Sequence, residues 1–134
     1  MGVIMNEKHI YFPGLYVKGL QTDSVRKLRE VGTEFTHFMP KPIELTETWL
    51  KAFKWIPATY EKDVYKYYLK NTILAINLKT KTCYIDRSNS RIPVFDANFV
   101  HEMQHAIAFF SNEVPTLTYE EEQNLSNILN IKFL

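Results

Sequence analysis

Five consecutive residues in this chain could do chemistry together: His101-Glu102-Met103-Gln104-His105. On a helix, an H-E-x-x-H spacing puts two imidazoles on one face, four residues apart, able to hold zinc, with the glutamate placed to act on a metal-bound water. That would be a small zinc hydrolase with His101 and His105 as ligands and Glu102 as general base. A tetrahedral site needs a third protein ligand. The extended form of the motif, with a glycine turn and a further histidine, is absent, because Ala106–Phe110 runs into Ser111-Asn112-Glu113. A carboxylate from Glu120, Glu121 or Glu122 could serve, Glu121 first among them. Acidic residues in a first helical turn are also explained by the helix dipole alone. The expectation is therefore a structural helix carrying two exposed histidines, with no metal, no cofactor and no enzymatic activity.

The element that must position this motif is a helix over Asp96–Phe110, capped by Asp96 or Asn98. At 100° per residue, Phe99, Val100, Met103, Ala106, Ile107 and Phe110 fall within an arc of roughly 120° and form its core-facing stripe. His101, Gln104, His105 and Ala108 lie outside that stripe, toward solvent or a cleft. A second helix is expected over Thr118–Asn130, where Thr118 and Glu121 form a capping-box pattern.

Earlier in the chain, His9–Lys18 reads as two short strands around Pro13-Gly14. Thr22–Glu30 reads as a short amphipathic helix closed by Gly32, and Glu34–Met39 as a short strand. Pro40 and Pro42 end regular structure there. They divide an N-terminal β/α segment, 1–39, from the remainder, 40–134, within what is expected to be one compact domain. Leu45–Phe53 is a helix with Thr46 as N-cap and Trp49 as a core anchor. Alternation then places Tyr65, Tyr67 and Leu69 on one face of a strand, with Lys66, Tyr68 and Lys70 on the other. Ile73–Leu78 and Thr82–Asp86 follow as strands joined by short turns, and Ile92–Phe95 adds a fourth. The fold class is α+β, a small antiparallel meander packed against two or three helices.

Composition fits a single globular domain of 134 residues, 46% of them apolar and 23% charged. The lone cysteine, Cys83, permits no internal disulfide and fits a reducing cytoplasm. Met1–Asn6 is too short for the apolar segment of a signal peptide, and no apolar run approaches a membrane span. A net charge of +1 hides a basic middle, with nine basic and three acidic residues over 51–91, and an acidic end, with one basic and six acidic over 92–134. Lys62, Lys66, Lys70, Lys79, Lys81, Arg87 and Arg91 form the basic set, Glu120, Glu121 and Glu122 the acidic one. Lysines alternating with tyrosines are also what a single-strand nucleic-acid-binding sheet displays.

Two stretches carry a resemblance. Pro42-Ile43-Glu44-Leu45-Thr46-Glu47-Thr48-Trp49-Leu50, the tyrosine-rich meander, and Val100-His101-Glu102-Met103-Gln104 together resemble a group of short proteins of bacterial prophages and mobile elements. In that group an L-T-E-E-W-L helix precedes a few strands and a closing V-H-x-L-Q-N-L-Y-F helix. The likeness covers roughly residues 40–115, and 1–39 correspond less well. At the position of His105 the group usually has asparagine, and at Glu102 often glutamine, so the resemblance implies no hydrolase. It implies a cytoplasmic counter-defence factor of the bacterial host's mobile elements. Such a protein, of which anti-CRISPR inhibitors are one kind, binds a host protein such as an RNA-guided nuclease or its guide-RNA complex. The basic and acidic sets above are its expected contacts.

Overall fold

A computed structural model describes residues 4–6, 9–19, 24–29, 40–87 and 90–134. The chain is α+β: the described residues form antiparallel sheets of three and five strands with three helices, and a two-stranded hairpin besides. It forms two compact units. One comprises Met1–Ile43 with Thr116–Leu134, the other Glu44–Pro115.

In the first unit β1 (Ile4–Asn6) pairs antiparallel with β2 (His9–Tyr11). Phe12–Leu15 then turns the chain. Gly14 sits at φ 96°, the left-handed position that follows a proline in a tight turn and that glycine takes without strain. β3 (Tyr16–Gly19) is the centre of the three-stranded sheet, flanked by β4 (Val25–Lys27) and β5 (Pro40–Lys41). Here the structure corrects two expectations. Val25–Lys27 is a strand and not part of a helix: it pairs antiparallel with Tyr16–Lys18, and its other edge takes on residues 132–134. The Val25 amide donates to Lys132 O at 2.7 Å, the Leu134 amide donates to Val25 O at 2.8 Å, and Val25 and Phe133 are parallel partners. Pro40 does not end regular structure but lies in an edge strand, where a missing N–H costs no ladder bond. The strand expected at Glu34–Met39 and the Gly32 stop lie outside the described residues.

The helix of this unit, α3 (Tyr119–Leu129), is capped as expected. Thr118 Oγ1 accepts from the Glu121 amide at 3.1 Å, and Glu121 Oε1 accepts from the Thr118 amide at 2.8 Å. Asn130 closes it in the left-handed conformation. Tyr11, Leu15, Tyr16, Val17, Val25, Leu28, Leu117 and Leu125 are buried.

The second unit opens with α1 (Glu47–Ala52), preceded by Thr46 as N-cap and burying Trp49 and Leu50. Five strands follow in sequence order across one sheet: β6 (Ile56–Pro57), β7 (Val64–Tyr68), β8 (Ile73–Asn77), β9 (Thr82–Arg87) and β10 (Ser90–Asp96). The meander is thus antiparallel throughout.

Paired residues share a face, so the register sorts the side chains. Tyr65, Tyr67, Leu74, Ile76, Cys83, Ile85 and Phe95 face one way; Trp55 meets Tyr67 there, and Phe95 meets Phe109 and Phe110. Val64, Lys66, Tyr68, Ile73, Ala75, Tyr84, Asp86 and Arg91 face the other. Val64, Ala75 and Tyr84 close over a small apolar cluster on that side, which is why β8 is buried on both faces. A bulge between Pro93 and Phe95 turns Phe95 to the inner face while Arg91 stays on the outer one.

α2 (Val100–Ser111) carries the H-E-x-x-H motif. Its N-cap is Phe99, one residue beyond the expected Asn98, and Asn112 ends it in the left-handed conformation.

Candidate functional site

Each residue of the H-E-x-x-H motif is placed by helix α2. Glu102 sits at the third helical position, and its Oε1 accepts from the amides of Asn98 at 2.8 Å and Phe99 at 3.1 Å. Two orphan donors of the helix start are thereby satisfied by the carboxylate that a hydrolase would aim at water. Phe99 has no side-chain acceptor of its own, so the cap depends on Glu102. His101 is not exposed, contrary to expectation. It is 1% accessible and stacks on Phe99, with ring centroids 5.8 Å apart and planes 11° off parallel. Gln104 is fully buried, its Nε2 donating to Pro115 O at 2.9 Å. The segment after the helix therefore covers the flank that the apolar pattern left open. His105 remains half-buried.

The acidic residues of α3 have partly structural work as well. Glu121 closes the capping box. Glu122 Oε2 accepts from the Tyr16 phenol at 2.6 Å and lies 3.8 Å from Lys27 Nζ. Burial, then the bond to Glu122, pushes the Tyr16 phenol well above its ordinary range. Glu120 is exposed. Among the described residues, no three His, Cys, Asp or Glu side chains gather as a metal-holding group, and no helix is long and apolar enough to cross a membrane.

The basic set divides three ways on the sheet. Lys66 and Arg91, on the outer face, are already neutralised. Lys66 Nζ lies 2.9 Å from Asp86, while Arg91 pairs with Glu61, approaches Asp86 at 3.8 Å, and lies 4.9 Å over the Tyr84 ring. Hydrogen bonding to Asp86 raises the Lys66 ammonium above its ordinary range, and bonding to Glu61 does the same for Arg91. Lys62, Lys79 and Lys81 cluster at one end of the sheet. There Asn77 Oδ1 accepts from the Lys79 and Thr80 amides, and the Leu78 amide donates to Asp63 O. Lys70 and Arg87 stand at the opposite end, about 16 Å away by the rise of a five-residue strand. None of these five forms an ion pair with a described residue.

Two concavities follow the outer face and the Lys70–Arg87 end. One of about 590 Å³ is lined by Glu61, Lys66, Asp86 and Arg91 among others. The other, about 600 Å³, is lined by Tyr68, Lys70, Ile85, Arg87 and Phe110 among others. They share Ile73, Asp86 and Arg87 and so form one continuous groove. Composition pointed to the cations but missed Glu61 and Asp86 as their partners, and missed Phe110 as a wall. The charged pairs 30 residues apart, such as Arg91 with Glu61, leave no local signal.

No protein-family model, no curated protein and no solved structure matches this chain.

Proposed function

We propose that this chain is a binding protein that works by occupying the surface of another macromolecule. In this reading it is a counter-defence factor of a mobile element whose target is a host RNA-guided nuclease or its guide-RNA complex. The observation that carries the reading is the groove on the five-stranded sheet, where aromatic side chains and charges of both signs line one concave surface. The engagement of Glu102 in capping, and of His101 in the helix interior, weighs against the hydrolase reading of the motif. The resemblance noted in the sequence supplies the kind of partner.

The test is DNA cleavage by purified RNA-guided nucleases of the main types, with and without the protein. Stoichiometric inhibition of one type is expected, relieved in the Lys70→Glu/Arg87→Glu double variant. No inhibition and no binding to any of them by calorimetry would overturn the reading.

A further inference from the structure

The groove has a polar inventory that selects among partners. At its outer-face half Lys66 is paired with Asp86, and Arg91 with Glu61 and Asp86. Those two cations and two carboxylates offset one another, which leaves Arg87, a residue lining both halves, without an ion-pair partner among the described residues. At the other half, Lys70 and Arg87 are exposed and form no ion pair with any described residue. The positive charge available to a ligand is therefore concentrated where β7 passes into β8, at a turn closed by the Leu69 amide donating to Thr72 O at 2.9 Å.

Beside those two cations stands Tyr68, 59% accessible although it lies in a paired strand opposite Ile73. A ring this open contributes little to the core. Ile85 and Phe110, from the opposite face of the sheet, line the same concavity at its end. An exposed ring lining one concavity with two cations that form no ion pair with a described residue is the minimal arrangement for holding an unpaired nucleotide strand. The ring offers a face on which any base stacks, and the cations meet consecutive phosphates. An acidic peptide would use the cations but not the ring. A duplex would present phosphates but keep its bases stacked away from Tyr68.

We propose that this end of the groove binds a short single-stranded nucleic-acid segment, with Tyr68 as the stacking platform and Lys70 and Arg87 as the phosphate contacts. The proposal rests on the sheet being the macromolecule-binding surface described above, and it names what that surface touches. The paired charges of the outer-face half add no phosphate contact, so the count is two. Two neutralised phosphates on a single strand give a slope of log K against log salt of about −1.4.

The test uses fluorescence anisotropy with a labelled ten-nucleotide oligouridine RNA, the matching oligothymidine DNA, a DNA duplex and polyglutamate, each titrated across a salt series with the full chain. Single strands are expected to bind with that shallow slope and the duplex more weakly. Tyr68→Ala is expected to weaken single-strand binding about tenfold, and Lys70→Glu/Arg87→Glu to abolish it. Lys62→Gln/Lys79→Gln, at the far end of the sheet, should leave it unchanged. Tighter binding of the RNA than of the DNA supports RNA as the natural ligand, and equal binding supports either strand. Absence of single-strand binding at low salt overturns the proposal, as does equal loss in the far-end variant. Polyglutamate binding that is as tight and indifferent to Tyr68→Ala also overturns it, in favour of an acidic protein segment. Nuclease inhibition that is relieved by Lys70→Glu/Arg87→Glu but survives Tyr68→Ala, with no single-strand binding, sinks this proposal while sparing the function above. Oligonucleotide binding without inhibition of any nuclease does the reverse.

Discussion

The Tyr16 phenol donates to the Glu122 carboxylate at 2.6 Å across 106 positions of chain, and the same oxygen accepts from the Leu117 amide at 3.0 Å. One buried hydroxyl thus ties the central strand of the three-stranded sheet to the start of the last helix. Tyr16→Phe keeps the ring and deletes the oxygen, leaving the buried Leu117 amide without its acceptor. A loss of about 1–3 kcal/mol is expected from urea unfolding. Glu122→Gln, which keeps an oxygen in place, should cost less; equal losses would show that the charge and not the hydrogen bond matters.

A second expectation concerns alkaline pH. Burial pushes the Cys83 thiol up to about 12 from an ordinary 9. Burial, then Glu47, pushes the Tyr65 phenol up to about 12 from 10. The Tyr16 and Tyr84 phenols are raised too, chiefly by burial. In each case the unfolded chain releases its proton first, so it binds fewer protons than the folded one once pH exceeds the ordinary value. Stability is then full below about pH 9 and falls as pH climbs, by up to about 1.4 kcal/mol per pH unit for each such group. Thermal melts between pH 7 and 11 should show the decline beginning near 9. In Cys83→Ala the onset should move toward 10.

Glu102 separates a cap from a catalytic base. Glu102→Ala is expected to cost about 1 kcal/mol, because two amide donors lose their acceptor. Glu102→Gln should be nearly silent, since its amide oxygen still accepts. A metal hydrolase gives the opposite pattern: Glu102→Gln abolishes turnover at unchanged stability. Melting curves and zinc titration on both variants distinguish the two.

The charged face offers a fourth test. Asp86→Asn leaves Lys66 and Arg91 on one face with only Glu61 between them. A loss of about 1 kcal/mol is expected at low ionic strength, shrinking as salt screens the exposed charges. A salt-independent loss would mean that Asp86 acts through packing alone.

Local pattern gave much of the second unit and less of the first. Strand alternation and short turns fix the meander, and Thr118 with Glu121 announces a helix start, because those signals lie within a few residues of each other. Val25–Lys27 misled for the opposite reason. Val25 and Leu28 have helical spacing, but Val25–Lys27 pairs antiparallel with Tyr16–Lys18 and is bridged by Phe133 on its other edge, and partners outside the segment leave no mark on its own periodicity. His101 misled similarly. A helical wheel counts one buried stripe, whereas α2 buries an arc of roughly 220°, from Ala106 round to His101, part of it under the chain that follows. The basic set was legible as composition. Which of its members are spent on Asp86 and Glu61 was not, because neutralisation is a property of strand register.

The two units also differ in how they can arise during synthesis. Glu44–Pro115 is continuous, so all of its strands have been made before the last helix leaves the ribosome. Met1–Ile43 must wait, because the edge of β4 is paired by residues 132–134 and Tyr16 is held from Leu117 and Glu122. The middle of the chain can therefore fold first, while the beginning waits for the end to emerge. A nascent chain stalled after Pro115 should resist protease over the five-stranded sheet and remain open to it around Tyr16.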